Sequence, residues 1–197
     1  MTTATALGTR DRLIRTASRL MQHGGYENTP IKQLVKEAQA TMGSLYHFFP
    51  GGKQELAVAA IAYGDEEFAH MLTSGLAAYR DPAEAVEALA VLLADALEAS
   101  DWLDGCPVTT TALESVGRMP ELQAACATAF AHWRELLAAK LAAGGLAGED
   151  ARELALTVLN TLEGAETAAQ VDRSRAPLVI AGRHLARLVS TYSAPRT

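Results

Sequence analysis

The sequence predicts an all-α chain of about nine helices, three in an N-terminal head and six in a following body. Three observations predict it. Ala and Leu dominate while β-branched runs are scarce, apolar residues recur three and four positions apart, and Gly or Pro interrupts the pattern at helix-length intervals. A first helix is expected from Thr9 to His23, with Leu13, Ile14, Ala17, Leu20 and Met21 on one face and Gly24-Gly25 ending it. Thr29 is expected to cap a second helix whose first position is Pro30, where a missing N–H does no harm. Ile31, Leu34, Val35 and Ala38 give that helix its buried face. Gln39-Ala40 make a turn, and Thr41 caps a third, short helix of which only Leu45 points clearly inward. Phe48-Phe49-Pro50-Gly51-Gly52 then breaks the helical run.

The body follows the same logic. A long helix runs from Lys53 to about Tyr79, connecting head and body. Asp81-Pro82 opens the next, with Val86, Leu89, Ala90, Leu93 and Leu97 as its buried stripe. The stretch Ser100–Pro107 is irregular, and Val108–Val116 is a short helix stopped by Gly117 and Pro120. Pro120–Leu141 forms another helix, ended by Gly144-Gly145, and Glu149–Val171 and Ala176–Tyr192 form the last two. In the final helix Leu178, Ala181, Leu185, Leu188 and Tyr192 keep 3-4-3-4 spacing. There is no internal repeat and no low-complexity linker.

Charge divides the chain as the helices do. Residues 1–53 carry seven Lys/Arg against three Asp/Glu, whereas residues 54–197 carry ten against twenty, for a net −6. A basic head on an acidic body fits nucleic-acid binding confined to the N-terminal part. No run of about 18 apolar residues exists, so no membrane span or membrane partner is expected. The N-terminus, MTTATALGTRDR, lacks an apolar core of signal-peptide type, and the protein is expected in the cytoplasm. Cys106 and Cys126, without CxxC spacing, are expected as free thiols there.

Two short helices joined by a tight turn, with a third starting just after, form a helix-turn-helix. The second of the pair, Thr41-Met42-Gly43-Ser44-Leu45-Tyr46, turns small or polar groups outward, a surface that can approach a DNA groove closely. Glu37-Ala38-Gln39-Ala40-Thr41-Met42-Gly43-Ser44-Leu45-Tyr46-His47-Phe48-Phe49 resembles the DNA-binding region of tetracycline-repressor (TetR) family regulators, whose pattern is E-A-G-V-S-x-G-[ST]-[LI]-Y-x-[HY]-F. Gln39 departs from it, standing where the family usually has glycine at a turn that often needs a positive φ. A non-glycine residue kept there costs about 1 kcal/mol or more.

Each residue of the motif has an expected role. Gly43 lets the backbone come close to DNA, while Thr41, Met42 and Ser44 are candidates for base edges or nearby phosphates, Met42 through a thymine methyl. Tyr46 and His47 are expected on phosphate oxygens, as the family's matching residues are, fixing register rather than reading sequence. Lys53, at the start of the long helix, is expected to hold a phosphate together with the free backbone N–H groups. Thr29 and Lys32 are further backbone-contact candidates. Residues 1–53 thus form the DNA-binding domain, and 54–197 a helical ligand-binding and dimerisation domain.

So short a reading helix contacts few base pairs, and a homodimer on palindromic double-stranded operator DNA is expected. The last two helices are its natural surface, through Leu156, Leu159 and Ala169 on one and Val179, Leu185 and Val189 on the other, with Gly164 and Gly182 permitting close approach. Two such helices from each subunit make a four-helix bundle, which the resemblance also implies.

Polar groups in the apolar body mark candidates for a small-molecule inducer site: Trp102, Cys106, Thr110, Glu114, Phe130, Trp133, Glu163 and Thr167. Trp102, Phe130 and Trp133 are read equally well as core packing, and Thr109–Thr111 equally well as a helix start. The stretch Gly105-Cys106-Pro107-Val108-Thr109-Thr110-Thr111-Ala112-Leu113-Glu114, with Phe49-Pro50-Gly51-Gly52-Lys53, resembles the branch of the lincomycin-resistance regulator and its flavonoid-responsive relatives (LmrA/YxaF-like). That resemblance implies repression of efflux or modifying genes, relieved by an aromatic or antibiotic-like ligand.

Other chemistries find less support. Gly51-Gly52-Lys53 lacks the longer GxxxxGK[ST] phosphate-loop frame, since Gln54 follows the lysine. There is no Ser/His/Asp set, no metal-ligand spacing and no paired-carboxylate motif, so neither an enzyme, a cofactor nor a metal site is expected. A ligand-independent dimeric DNA-binder whose body only dimerises stays open as the alternative.

Overall fold

The computed structural model describes residues 7–193, and the first six residues of the segment read above as free of a signal core lie outside them. Among the described residues the chain is all-α, with helices α1 (Thr9–Gly24), α2 (Ile31–Glu37), α3 (Met42–Phe48), α4 (Lys53–Ala77), α5 (Pro82–Ala99), α6 (Thr109–Ser115), α7 (Pro120–Ala143), α8 (Gly148–Asp172) and α9 (Ala176–Ser193). None is long and apolar enough to cross a membrane. The chain divides into two compact units, one reaching to Asp65 and including Pro107–Ala129, the other made of Glu66–Cys106 and the chain from Phe130 onward.

The first unit is built on α1. Its buried face, Leu13, Ile14, Ala17 and Met21, meets α2 and α3, whose inward residues are Leu34, Val35, Ala38 and Leu45. Leu13 and Leu45 are fully enclosed, each contributing about 1.5–3 kcal/mol through burial. Gly25 closes α1 with φ 77° and donates its N–H to Met21 O at 2.7 Å.

The start of α2 corrects one expectation. Pro30 occupies the cap position itself, without a side-chain cap, and Thr29 turns inward instead. It is 1% exposed and its hydroxyl donates to Gly25 O at 2.8 Å. Thr41, by contrast, caps α3 as expected, accepting from Ser44 N at 3.0 Å.

The turn between them keeps the strained geometry. Gln39 has φ 50°, donates to Lys36 O at 3.1 Å, and is followed by Ala40 donating to Val35 O at 3.0 Å. That pair of bonds is a Schellman closure with glutamine in the left-handed position usually given to glycine. Arg12 on α1 fastens it: Nε donates to Ala38 O at 3.0 Å and a terminal nitrogen to Gln39 O at 3.2 Å.

The second unit is organised by α5, which packs against α9 and α8, while α8 also packs against α9. Pro82 starts α5 and Asp81 caps it, accepting from Ala83 N at 3.2 Å. Val86, Leu89, Ala90, Leu93 and Leu97 are all buried, as the spacing predicted. The crossing of α9 over α5 is close: a Cβ added to Gly182 would lie 2.5 Å from Ala90 Cβ. The buried face of α9 is therefore Leu178, Gly182, Leu185, Ala186 and Val189, and Tyr192 is exposed.

Candidate functional site

The outward face of α3 is the most exposed group of motif residues in the first unit. Leu45 anchors the helix, while Thr41, Met42, Gly43, Tyr46 and His47 are exposed and Ser44 half-buried. The hydroxyls of Thr41 and Ser44 lie 2.9 Å apart, so each retains a lone pair or proton for an outside partner. Gly43 is informative by what surrounds it. A Cβ there would meet only Thr41 Oγ1, at 3.7 Å, so packing within the chain does not require glycine. Lys32, on α2, is exposed.

Lys53 has partners within the first unit. Its ammonium donates to Tyr26 O at 2.6 Å and lies 4.1 Å from the centre of the Tyr26 ring. Burial pushes its pKa down, against the pull of Glu27 and Glu114. The lysine thus supports the segment after α1.

The body candidates separate into groups. Glu114 is committed to the first unit, where one carboxylate oxygen accepts from Tyr26 N at 2.6 Å and Glu27 N at 3.2 Å. Thr110 is exposed and its methyl flanks Gly25, whose added Cβ would come within 2.7 Å of it. Both lie in the first unit, and the other ligand candidates in the second. There, Trp133 is fully buried, stacked obliquely on Phe68 at 4.3 Å and meeting the edge of Phe130 at 5.5 Å. Trp133 Nε1 has no hydrogen-bond acceptor among the described residues. Trp102 is half-buried and follows Asp101 in left-handed backbone, with φ 68° and 55° respectively. Thr167 is exposed and donates to Glu163 O of its own helix at 3.0 Å.

Cys106 and Glu163 do come together, and they bring a residue that sequence reasoning missed. Glu166 is 8% exposed. Burial and the neighbouring Glu163 charge push its carboxyl up to about 8, opposed by a hydrogen bond from the Cys106 backbone N–H. Its signal was present: Ala155, Leu159, Leu162, Glu166 and Ala169 continue one buried stripe on α8.

The dimer candidates also divide. Leu159 and Ala169 are buried within the chain, as are Leu185, Val189 and Gly182, the last against Ala90 of α5. Leu156 is exposed, Val179 half-buried, and Gly164 open, with no atom near an added Cβ. Ile180, Val171 and Tyr192 are exposed apolar residues on the same two helices that the sequence reading did not assign to this surface.

Comparison with known proteins agrees with this arrangement. Residues 13–60 match the family described as "Bacterial regulatory proteins, tetR family", and residues 82–184 match "Transcriptional regulator LmrA/YxaF-like, C-terminal domain". The chain is 33% identical to the uncharacterized HTH-type transcriptional regulator YxaF of Bacillus subtilis, covering 91% of this chain and 94% of that one. It is 31% identical to the HTH-type transcriptional regulator LmrA of the same organism, over 86% of this chain and 90% of that one. The fold matches a crystal structure of a TetR transcriptional regulator from Chloroflexus aurantiacus with TM-score 0.75 and 28% identity, covering 92% and 94% of the two chains. With a helix-turn-helix whose reading face is open and both halves matched, the chain belongs to the TetR family of transcriptional regulators, not enzymes, and its C-terminal domain is of the LmrA/YxaF-like kind.

Proposed function

We propose that this protein is a homodimeric, ligand-responsive repressor of efflux or resistance-type genes, released from a palindromic operator by an aromatic or drug-like small molecule. TetR-family regulators bind operator DNA and act as dimers. The observation that carries the DNA-binding part is α3, a capped helix with one buried anchor and an exposed face of Thr41, Met42, Gly43, Ser44, Tyr46 and His47. A glycine that internal packing does not need supports close approach of something external at Gly43. Lys32 and the backbone around Thr29 and Lys53 would complete the phosphate contacts. Residues 1–53 would carry these contacts, and 54–197 the effector and dimer surfaces.

The effector reading is supported by the aromatic group Phe68, Phe130 and Trp133 and by Trp133 Nε1, a buried donor without an acceptor. A ligand oxygen accepting there would remove an unmet hydrogen bond that costs roughly 1–3 kcal/mol. Inducer preference for one of two conformations would then set how far operator binding weakens.

The test is footprinting on the DNA upstream of the protein's own gene, across a salt series. A protected palindrome whose affinity falls steeply with salt is expected. Adding an aromatic inducer that binds the body should reduce protection. Tight binding of such a ligand with operator affinity unchanged would sink the ligand-responsive part and leave a body that only dimerises.

A further inference from the structure

Cys106, Glu163 and Glu166 come from two elements, the irregular stretch before Pro107 and adjacent positions of α8. Their ligating atoms, one sulfur and two carboxylate oxygens, all lie within 4.8 Å of one another. Exposed acidic pairs are common on helices and signify little. This group differs in being enclosed: Cys106 and Glu166 are each only 8% exposed, and the third vertex is a thiol rather than another carboxylate.

The stretch bearing the cysteine is also held in place. Glu166 accepts the Cys106 backbone N–H, Gln170 donates to Leu103 O at 3.2 Å, and Arg173 donates to Asp101 O at 3.3 Å while pairing with the Asp101 carboxylate. These side chains follow one another about a turn apart along α8 and its C-cap, forming a ladder along 101–106. Gly105 fits beneath Gln170 so closely that a Cβ would reach within 2.8 Å of its Oε1. The sulfur is therefore preset opposite the two carboxylates.

We propose that Cys106 Sγ and one carboxylate oxygen from each of Glu163 and Glu166 bind a divalent transition-metal cation, with Zn²⁺ the best fit. The sulfur makes the choice. Mg²⁺ and Ca²⁺ are satisfied by six or more oxygens and gain little from a thiol, and an organic ammonium would use the carboxylates alone. Zn²⁺ takes sulfur at about 2.3 Å and carboxylate oxygen at about 2.0–2.2 Å, and four-coordinate geometry leaves one position for water or another donor. The thiol proton, and any proton shared by the carboxyls, leaves to solvent as the metal enters, so affinity rises with pH. The site goes beyond the inducer reading and stands or falls separately from it.

Co²⁺ is the probe, because thiolate ligation gives it a near-ultraviolet sulfur-to-cobalt charge-transfer band. Stoichiometric Co²⁺ added to the reduced, metal-free full chain should raise that band, and Zn²⁺ should bleach it. Cys106→Ser should abolish it and Cys126→Ser should leave it intact. Glu163→Gln and Glu166→Gln should each weaken binding at least as much as loss of an outer-shell partner does, about 10–100-fold. Glu163 is only half-buried, so its variant keeps the test decisive even where the cysteine variant folds poorly. Absence of the band, its survival in Cys106→Ser, or unchanged affinity in both glutamine variants overturns the proposal.

Discussion

Gln39 holds a left-handed backbone position that the sequence marked as unusual, and the turn keeps its shape around it rather than changing to suit the side chain. The two backbone bonds of the closure are made locally, and Arg12 adds two more from α1. Gln39→Gly should therefore stabilise the protein, by about 1 kcal/mol once the added freedom of the unfolded chain is subtracted. Urea unfolding would measure it, and a destabilised variant would mean the strain is absent. Arg12 was not legible as a clamp, because its partners are backbone carbonyls 26 and 27 residues away and no spacing rule announces them. Glu166 carries a second prediction at this scale. Its folded pKa of about 8 lies above the ordinary 4.5, so between those values the folded chain keeps a proton that the unfolded chain releases. With a chelator present, stability should fall as pH rises from about 4.5 through about 8 and then level off. Glu166→Gln should flatten that descent and leave the variant the more stable protein at pH 9, as read from melting temperature against pH. Parallel profiles for the two proteins would refute the assignment.

Among the elements, existence was easier to read than phase. Every helix expected from Gly/Pro punctuation and 3-4 spacing is present, with ends close to those expected. In α5 one clean stripe gave the buried face correctly. In α9 apolar residues occur on several sides, including Leu178, Val179, Ile180, Ala181, Leu185 and Leu188, and periodicity alone cannot say which side meets α5. The two glycines make the distinction measurable. Gly182→Ala should destabilise the fold by about 1–3 kcal/mol, since the new methyl meets Ala90 at 2.5 Å. Gly164→Ala meets nothing within 4 Å, and helix propensity should make it neutral or up to about 1 kcal/mol more stable in denaturant. Equal effects at both sites would contradict the packing described.

For the whole molecule, exposed Leu156, Val171 and Ile180 on α8 and α9 mark the surface on which the proposed dimer depends. Ile180→Arg, at a residue half exposed in the chain, should leave the helical content intact. Sedimentation should find it monomeric, with operator affinity lost along with the second reading helix. A dimer persisting at the same concentration would place the interface elsewhere. The basic head and acidic body were legible as a charge count, whereas the compact units were not. A linear scan divides a chain into consecutive pieces, but here α6 and the start of α7 join α1, α2, α3 and the first half of α4.

That interleaving has a consequence for synthesis. The carboxylate that receives the Tyr26 and Glu27 amides belongs to Glu114, 88 and 87 positions further along. On the ribosome, the reading helix emerges long before the residue that ties down the segment leading into it. All of α5 is made before those two amides gain their carboxylate, and a nascent chain stalled before Glu114 carries the reading helix without that tie.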